Sequence, residues 1–246
     1  MDRLIYTSMT GATAAEQHQR IIANNLANAS TNGFRQQLTA ARAAPVRGDG
    51  ATTRVMAAET TVGFKSTPGS GQFTDRPLDA MAQGNAWFAV QGLDGVEGYT
   101  RNGSFEVTST GELVNGSGLT VLSDGGGPIT VQPGAQVTLA GDGRLSAKVG
   151  NQPATELGRL KMVTPTDDDP LLRGDDGLFR ARSTDPLPSD PNAQLKTGYI
   201  ESSNVNTVEA MVQMIQVGRQ FEVQMRMLQT AESNDRTAAQ LLGLQG

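Results

Sequence analysis

Helix-breaking residues are kept out of both ends of this chain. All eleven prolines among its 246 residues fall between Pro45 and Pro191, and the only glycines in the stretches Asp2 to Asn32 and Asn206 to Leu242 are Gly11 and Gly218. Proline removes a backbone donor and clashes with the preceding turn, and a helix-interior glycine costs about 1 kcal/mol relative to alanine. Both ends are therefore predicted to be helical, and the middle is not.

In the C-terminal stretch, apolar residues recur at heptad-like spacing: Met211, Met214, Gly218, Phe221, Met225 and Leu228, then Ala239 and Leu242 after polar Glu232 and Asp235. That is a helical stripe facing a partner. Asn206 followed by Glu209 has capping-box spacing and predicts a helix starting near Thr207. At ~1.5 Å per residue it would run roughly 55 Å. Asp2 can cap a first helix with the stripe Ile5, Met9, Ala12, Ala15, Ile22 and Leu26. Alanines allow close approach but supply little apolar area, and at roughly 25 cal/mol per Å² such a helix forms only against a neighbour. Gly33 is expected as the residue that ends it, with Phe34 packing back onto the last turn.

Between the ends, residues 35–76 are small and polar and read as an extended connector with short paired strands such as Thr53 to Met56. Residues 77–185 hold short runs such as Trp87 to Val90, Phe105 to Val107 and Leu145 to Ala147, separated by turn pairs such as Asp94-Gly95 and Asp142-Gly143. This spacing predicts a mainly antiparallel β domain. Residues 186–205 return the chain to the C-terminal helix, 206–246. The order is helix (1–34), connector, β domain, connector, helix, so the two ends must meet or share a partner.

A net charge of −5 argues against a nucleic-acid partner. Three arginines against four carboxylates in the last helix leave no basic membrane face. No apolar run is long enough to span a membrane, and Met1 to Thr10 lacks the layout of a cleaved signal peptide. With no cysteine there is no thiolate metal site and no disulfide. His18, the single histidine, has no evident nucleophile or acid beside it and reads as a surface or subunit-contact residue. Asp167 to Asp169, with Asp175 and Asp176, lack the order of a calcium loop and read as a solvated loop. Gly125 to Gly127 precedes a strand, so it is a turn, not a phosphate cradle. No catalytic residue, metal site or cofactor is expected.

Two long motifs carry a resemblance. Ile22 to Arg35 (IANNLANASTNGFR) resembles the N-terminal signature of the flagellar rod and hook family, and Gly198 to Asn206 (GYIESSNVN) followed by Glu209 to Ile215 (EAMVQMI) resembles its C-terminal one. Arg76 to Asp79 and Tyr99 to Phe105 also match, so the resemblance covers nearly the whole chain. The opening residues, the Arg35-to-Val46 stretch and the length look most like the proximal rod members, with longer distal rod and hook relatives as competitors.

The resemblance implies a non-enzymatic rod subunit, exported unprocessed through the flagellar type III apparatus and assembled in the periplasm with copies of itself and other rod proteins. The terminal helices would pair in a coiled-coil-like bundle around the export channel, with the β domain outside. Ile5, Met9, Ala12, Ile22, Leu26, Met211, Met214, Ile215, Gly218, Phe221, Met225, Leu228 and Leu242 would meet neighbouring subunits. Helices so poor in apolar area would gain order on assembly. Two other readings stay open: a secreted β-rich binding module on a coiled-coil stalk and, more weakly, a cell-wall hydrolase.

Overall fold

The absence of breakers at both ends is matched by two helices, α1 (Asp2–Ala27) and α2 (Thr207–Gly243), in a computed structural model that describes residues 2–45 and 55–243. The chain divides into two units. The first joins residues 1–29, 36–65 and 205–246, and the second joins residues 30–35 and 66–204.

In the first unit α1 packs on α2. Ala15 and Ile22 are buried with Ala210 and Val217, flanked by Leu26, Val205, Met214 and Phe221. A Cβ added at Gly11 would lie 3.0 Å from the Gln224 side chain. The end of α1 thus meets the start of α2, and the helices run antiparallel. The N-terminus of α2 is capped by Asn206, whose Oδ1 accepts from the backbone N–H of Val208 at 3.1 Å and of Glu209 at 3.2 Å. The expected reciprocal half of that cap is replaced: the Glu209 carboxylate accepts from Gln213 Nε2, one turn on.

Residues 35–76, expected as an extended connector, instead hold a long antiparallel hairpin. Its arms are β1 (Gln37–Pro45) and β2 (Val55–Phe64), paired from Gln37↔Phe64 to Pro45↔Val55 with a bulge at Leu38/Thr39. Of the expected strand Thr53 to Met56, Thr53 and Arg54 lie outside the described residues. Both arms touch α1. The buried side-chain amide of Asn25 fixes the base of β1: it donates to the Gln37 carbonyl at 3.0 Å and accepts from the Gln37 N–H at 2.8 Å, imitating a strand partner.

The second unit is β throughout. Its strands are β3 (Gly71–Phe73), β4 (Ala80–Ala82), β5 (Trp87–Gln91), β6 (Glu97–Thr100), β7 (Phe105–Val107), β8 (Leu113–Asn115), β9 (Gln136–Leu139), β10 (Arg144–Lys148), β11 (Thr155–Arg159), β12 (Met162–Val163), β13 (Leu171–Arg173), β14 (Phe179–Ala181), β15 (Leu195–Thr197) and β16 (Tyr199–Glu201). An antiparallel sheet of order β12-β5-β6-β14-β13 stands with a smaller sheet β11-β10-β9 and the pairs β7-β8, β15-β4 and β16-β3. Phe88, Phe105, Leu113, Val121, Leu145, Leu160 and Met162 fill one core, with the Phe88 and Phe105 rings edge to face at 5.1 Å. The expected return connector, 186–205, is partly strand: β15 closes on β4, and β16 closes on β3.

The protein is thus mainly β, with two terminal helices that pack against each other.

Candidate functional site

The row of α2 that meets α1 differs from the expected one by a single position at every other step. Ala210, Met214, Val217, Phe221, Gln224, Leu228 and Ala231 are buried or half-buried, a strict alternation of four- and three-residue steps. Met214, Phe221 and Leu228 belong to both rows. Met211 and Met225, expected on the stripe, are exposed, and their places are taken by Ala210 and Gln224. On α1 the same substitution occurs: Met9 is 58% exposed, and the buried position is Ser8, followed by Ala12, Ala15 and Ile22, with Ile5 and Leu26 half-buried. The physical reason is width. A seam built on Ser8, Ala12 and Ala15 brings the backbones together and selects small residues over methionines.

The displaced apolar residues form a second, unpartnered row on α2. Val208, Met211, Val212, Ile215 and Met225 are exposed, as is Tyr6 on α1. Gly218 lies on this row, and a Cβ added there would meet no heavy atom within 4 Å, so within the chain it marks no close backbone approach. The side chain of Leu242 lies outside the described residues. His18 is half-buried on α1.

Within the β unit, the two signature motifs meet. Glu201, at the end of β16, has a fully buried carboxylate that pairs with Arg35 Nη1 at 2.5 Å and with Arg101 Nε at 2.8 Å, and accepts from the Gly69 N–H at 3.0 Å. Arg35 also donates to the Thr67 carbonyl, and Arg101 to the Ala86 carbonyl. Both guanidinium groups lie over Trp87, 5.7 and 5.8 Å from the ring centroid, and Arg173 covers the Phe34 ring at 4.4 Å while donating to the Arg35 carbonyl. Burial pulls the Arg35 guanidinium below its ordinary value, with Glu201 opposing.

Backbone bonds complete the clasp: Gly33 N–H to Glu201 O at 2.8 Å and Asn204 N–H to Phe34 O at 3.2 Å. Gly33 does not end α1, which stops at Ala27. It has φ +71, and a Cβ there would lie 2.4 Å from backbone atoms of Arg101 and Asn102. Phe34, expected to pack back on α1, is buried in the β unit. In the sequence, Arg35, Arg101 and Glu201 stand out only as members of the signature motifs. The signal available was a charged residue set in each otherwise small or neutral signature.

Asp169 accepts from Ser183 N–H and Oγ, which holds it below the ordinary carboxylate range. Among the described residues no group of three or more His, Asp or Glu could hold a metal ion, and no helix is long and apolar enough to cross a membrane.

Known families match along the chain. The model of the flagella basal body rod protein matches residues 5–35, that of the flagellar hook protein FlgE/F/G D1 domain residues 81–147, and that of the flagellar basal body rod FlgEFG protein C-terminal region residues 196–241. The first match ends at Arg35, and the last contains Glu201. The chain is 44% identical to the flagellar basal-body rod protein FlgF of Escherichia coli strain K12, over 99% of this chain and all of that protein. It is 32% identical to FlgF of Caulobacter vibrioides, over 99% of each. It is 29% identical to the flagellar basal-body rod protein FlgG of Buchnera aphidicola from Acyrthosiphon pisum, over 96% of this chain and 98% of that one. With a two-helix seam at its ends, a clasp where its signatures meet and full-length relatives of this kind, the chain belongs to the flagellar basal-body rod protein family.

Proposed function

We propose that this chain is a structural subunit of the flagellar basal-body rod that polymerises through its terminal helices. Its partners are copies of itself and other proximal and distal rod proteins, and together they form a periplasm-spanning drive shaft around the export channel. It reaches that site through the flagellar type III export apparatus and performs no catalysis. The observation that carries this reading is that α2 is apolar on two faces while α1 covers only one. Val208, Met211, Ile215 and Met225 are left to solvent, a row that a bundle of neighbouring helices would bury. A contact of this kind, repeated with a screw rotation, builds a tube rather than a closed dimer.

In this reading Met9, Met211, Ile215, Gly218 and Met225 contact neighbouring subunits. Ile5, Ala12, Ile22, Leu26, Met214, Phe221 and Leu228 hold the helix pair together within the chain, and Leu242 extends the bundle. The test is Ile215→Glu together with Met211→Glu. The variant is expected to keep the helical circular dichroism of the parent and to be exported, yet to leave cells without completed rods and without motility. Normal basal bodies containing the double variant would overturn the reading.

A further inference from the structure

The seam between α1 and α2 is poor in apolar area. Ser8, Ala12 and Ala15 on α1 and Ala210 and Ala231 on α2 are its small buried residues, and bulk comes from Ile22, Val217 and the half-buried Ile5, Leu26, Met214, Phe221 and Leu228. A contact of this size does not hold two separate helices together in dilute solution. Pairing needs a high local concentration of one helix around the other.

The Glu201 clasp supplies a candidate source. It joins the segment that follows α1 to the segment that precedes α2 by the Arg35–Glu201 ion pair and by backbone bonds from Gly33 and Asn204, while Arg101 holds the other carboxylate oxygen of Glu201. The Asn204 side chain adds a bond to the Thr67 carbonyl at 2.8 Å. α1 ends at Ala27 and α2 begins at Thr207, so each helix leaves the clasp through a short linker. Short tethers of this kind give an effective concentration on the order of millimolar. β16 pairs with β3, Gly33 with Glu201 and Asn204 with Phe34, so none of this can close until the chain as far as Asn204 is in place.

We propose that the Arg35–Glu201–Arg101 clasp is a conformational device that governs α1–α2 pairing. Closed, it tethers the two helices into an intramolecular pair; open, it releases both together while most of the β unit keeps its core. The helices are then available or unavailable as a unit, under the control of a carboxylate of the β unit.

The test is hydrogen exchange on the full-length protein, with Trp87 fluorescence reporting the β unit. In Glu201→Gln, amides of α1 and α2 are expected to exchange at least about tenfold faster than in the parent, the loss expected when a tether opens. Leu145→Ala weakens the β core away from the clasp, since Leu145 is buried in β10. It is expected to leave helix exchange within about twofold of the parent wherever Trp87 still reports a native unit. Unchanged helix exchange in Glu201→Gln overturns the proposal, as does equal acceleration in Leu145→Ala. Should Glu201→Gln fail to fold, Asn204→Ala removes one clasp bond without stranding a charge. Faster exchange in both helices then supports the proposal, and parental exchange overturns it.

Discussion

Arg35 and Glu201, drawn from opposite ends of the chain, form an ion pair whose side chains are 3% and 0% exposed. Glu201 is shared with Arg101, so one carboxylate answers two guanidinium groups in a site closed to bulk solvent. Such a pair adds little over a well-packed apolar cluster, but loss of one member strands the other's charge. Glu201→Gln is therefore expected to destabilise the β unit by about 3–5 kcal/mol. Arg101→Met, which leaves Glu201 its bonds to Arg35 and Gly69, is expected to cost less. Denaturant titration followed by the single tryptophan, Trp87, separates the two; equal midpoints would contradict the shared-carboxylate argument.

Gly33 has no room for a side chain. At φ +71 an L-residue costs roughly 1–2 kcal/mol, and the added Cβ would fall against the Arg101–Asn102 peptide. Gly33→Ala is expected to lower the Trp87 unfolding midpoint by more than the conformational term alone. A neutral effect would mean that the strap carrying Gly33 can shift without loss.

What the sequence made legible was local. The α2 cap at Asn206, the breaker-free helices and the Gly-punctuated strands of the β unit each rest on a few neighbouring residues, and all three are found. The β1–β2 hairpin was not legible because Ala40, Ala41, Ala43 and Ala44 carry weak strand preference, and its base is fixed by the Asn25 amide, a tertiary contact. The α2 row was displaced because large methionines drew the stripe outward, whereas the opposing alanines and Ser8 decide which face is inside. The clasp depends on three charged residues meeting across about two thirds of the chain, and no linear spacing encodes that.

Asn25 makes the hairpin base a testable joint. Asn25→Ala leaves the Gln37 N–H and carbonyl without their side-chain partner, and half-burial of Gln37 lets water replace part of the loss. A cost of about 1–2 kcal/mol is expected, read as faster hydrogen exchange in β1 and β2. Unaltered hairpin exchange would show that packing on α1 suffices.

The two rows of α2 differ in what the single chain needs from them. Val217 is 5% exposed in the seam, and Val217→Ala removes about two buried carbon atoms, worth roughly 1.5–2 kcal/mol. Ile215 is 58% exposed, and Ile215→Ala is expected to stay within about 0.5 kcal/mol. Thermal melting of the helical signal in dilute protein should separate the two; a large effect at Ile215 would place it inside the chain's own packing.

Acid should weaken the β unit through carboxylates held by hydrogen bonds. Asp176 accepts from Arg180 at 2.7 Å, Asp190 from Thr164 Oγ1 at 2.6 Å and from the Asn192 N–H at 2.9 Å, and Asp169 from Ser183 Oγ at 2.7 Å. Each is held below its ordinary value by these bonds. The unfolded chain therefore takes up protons first, near the ordinary aspartate value of about 4. Stability from these groups is complete above that value and is lost as pH falls through the lower folded-state values. The Trp87 unfolding midpoint should be flat with respect to these groups from about pH 7 to 5 and fall below about pH 4. Replacing all three with Asn should lower the midpoint at pH 6 and make the acid fall shallower. A fall of the same steepness in the triple variant would assign the acid sensitivity to other carboxylates.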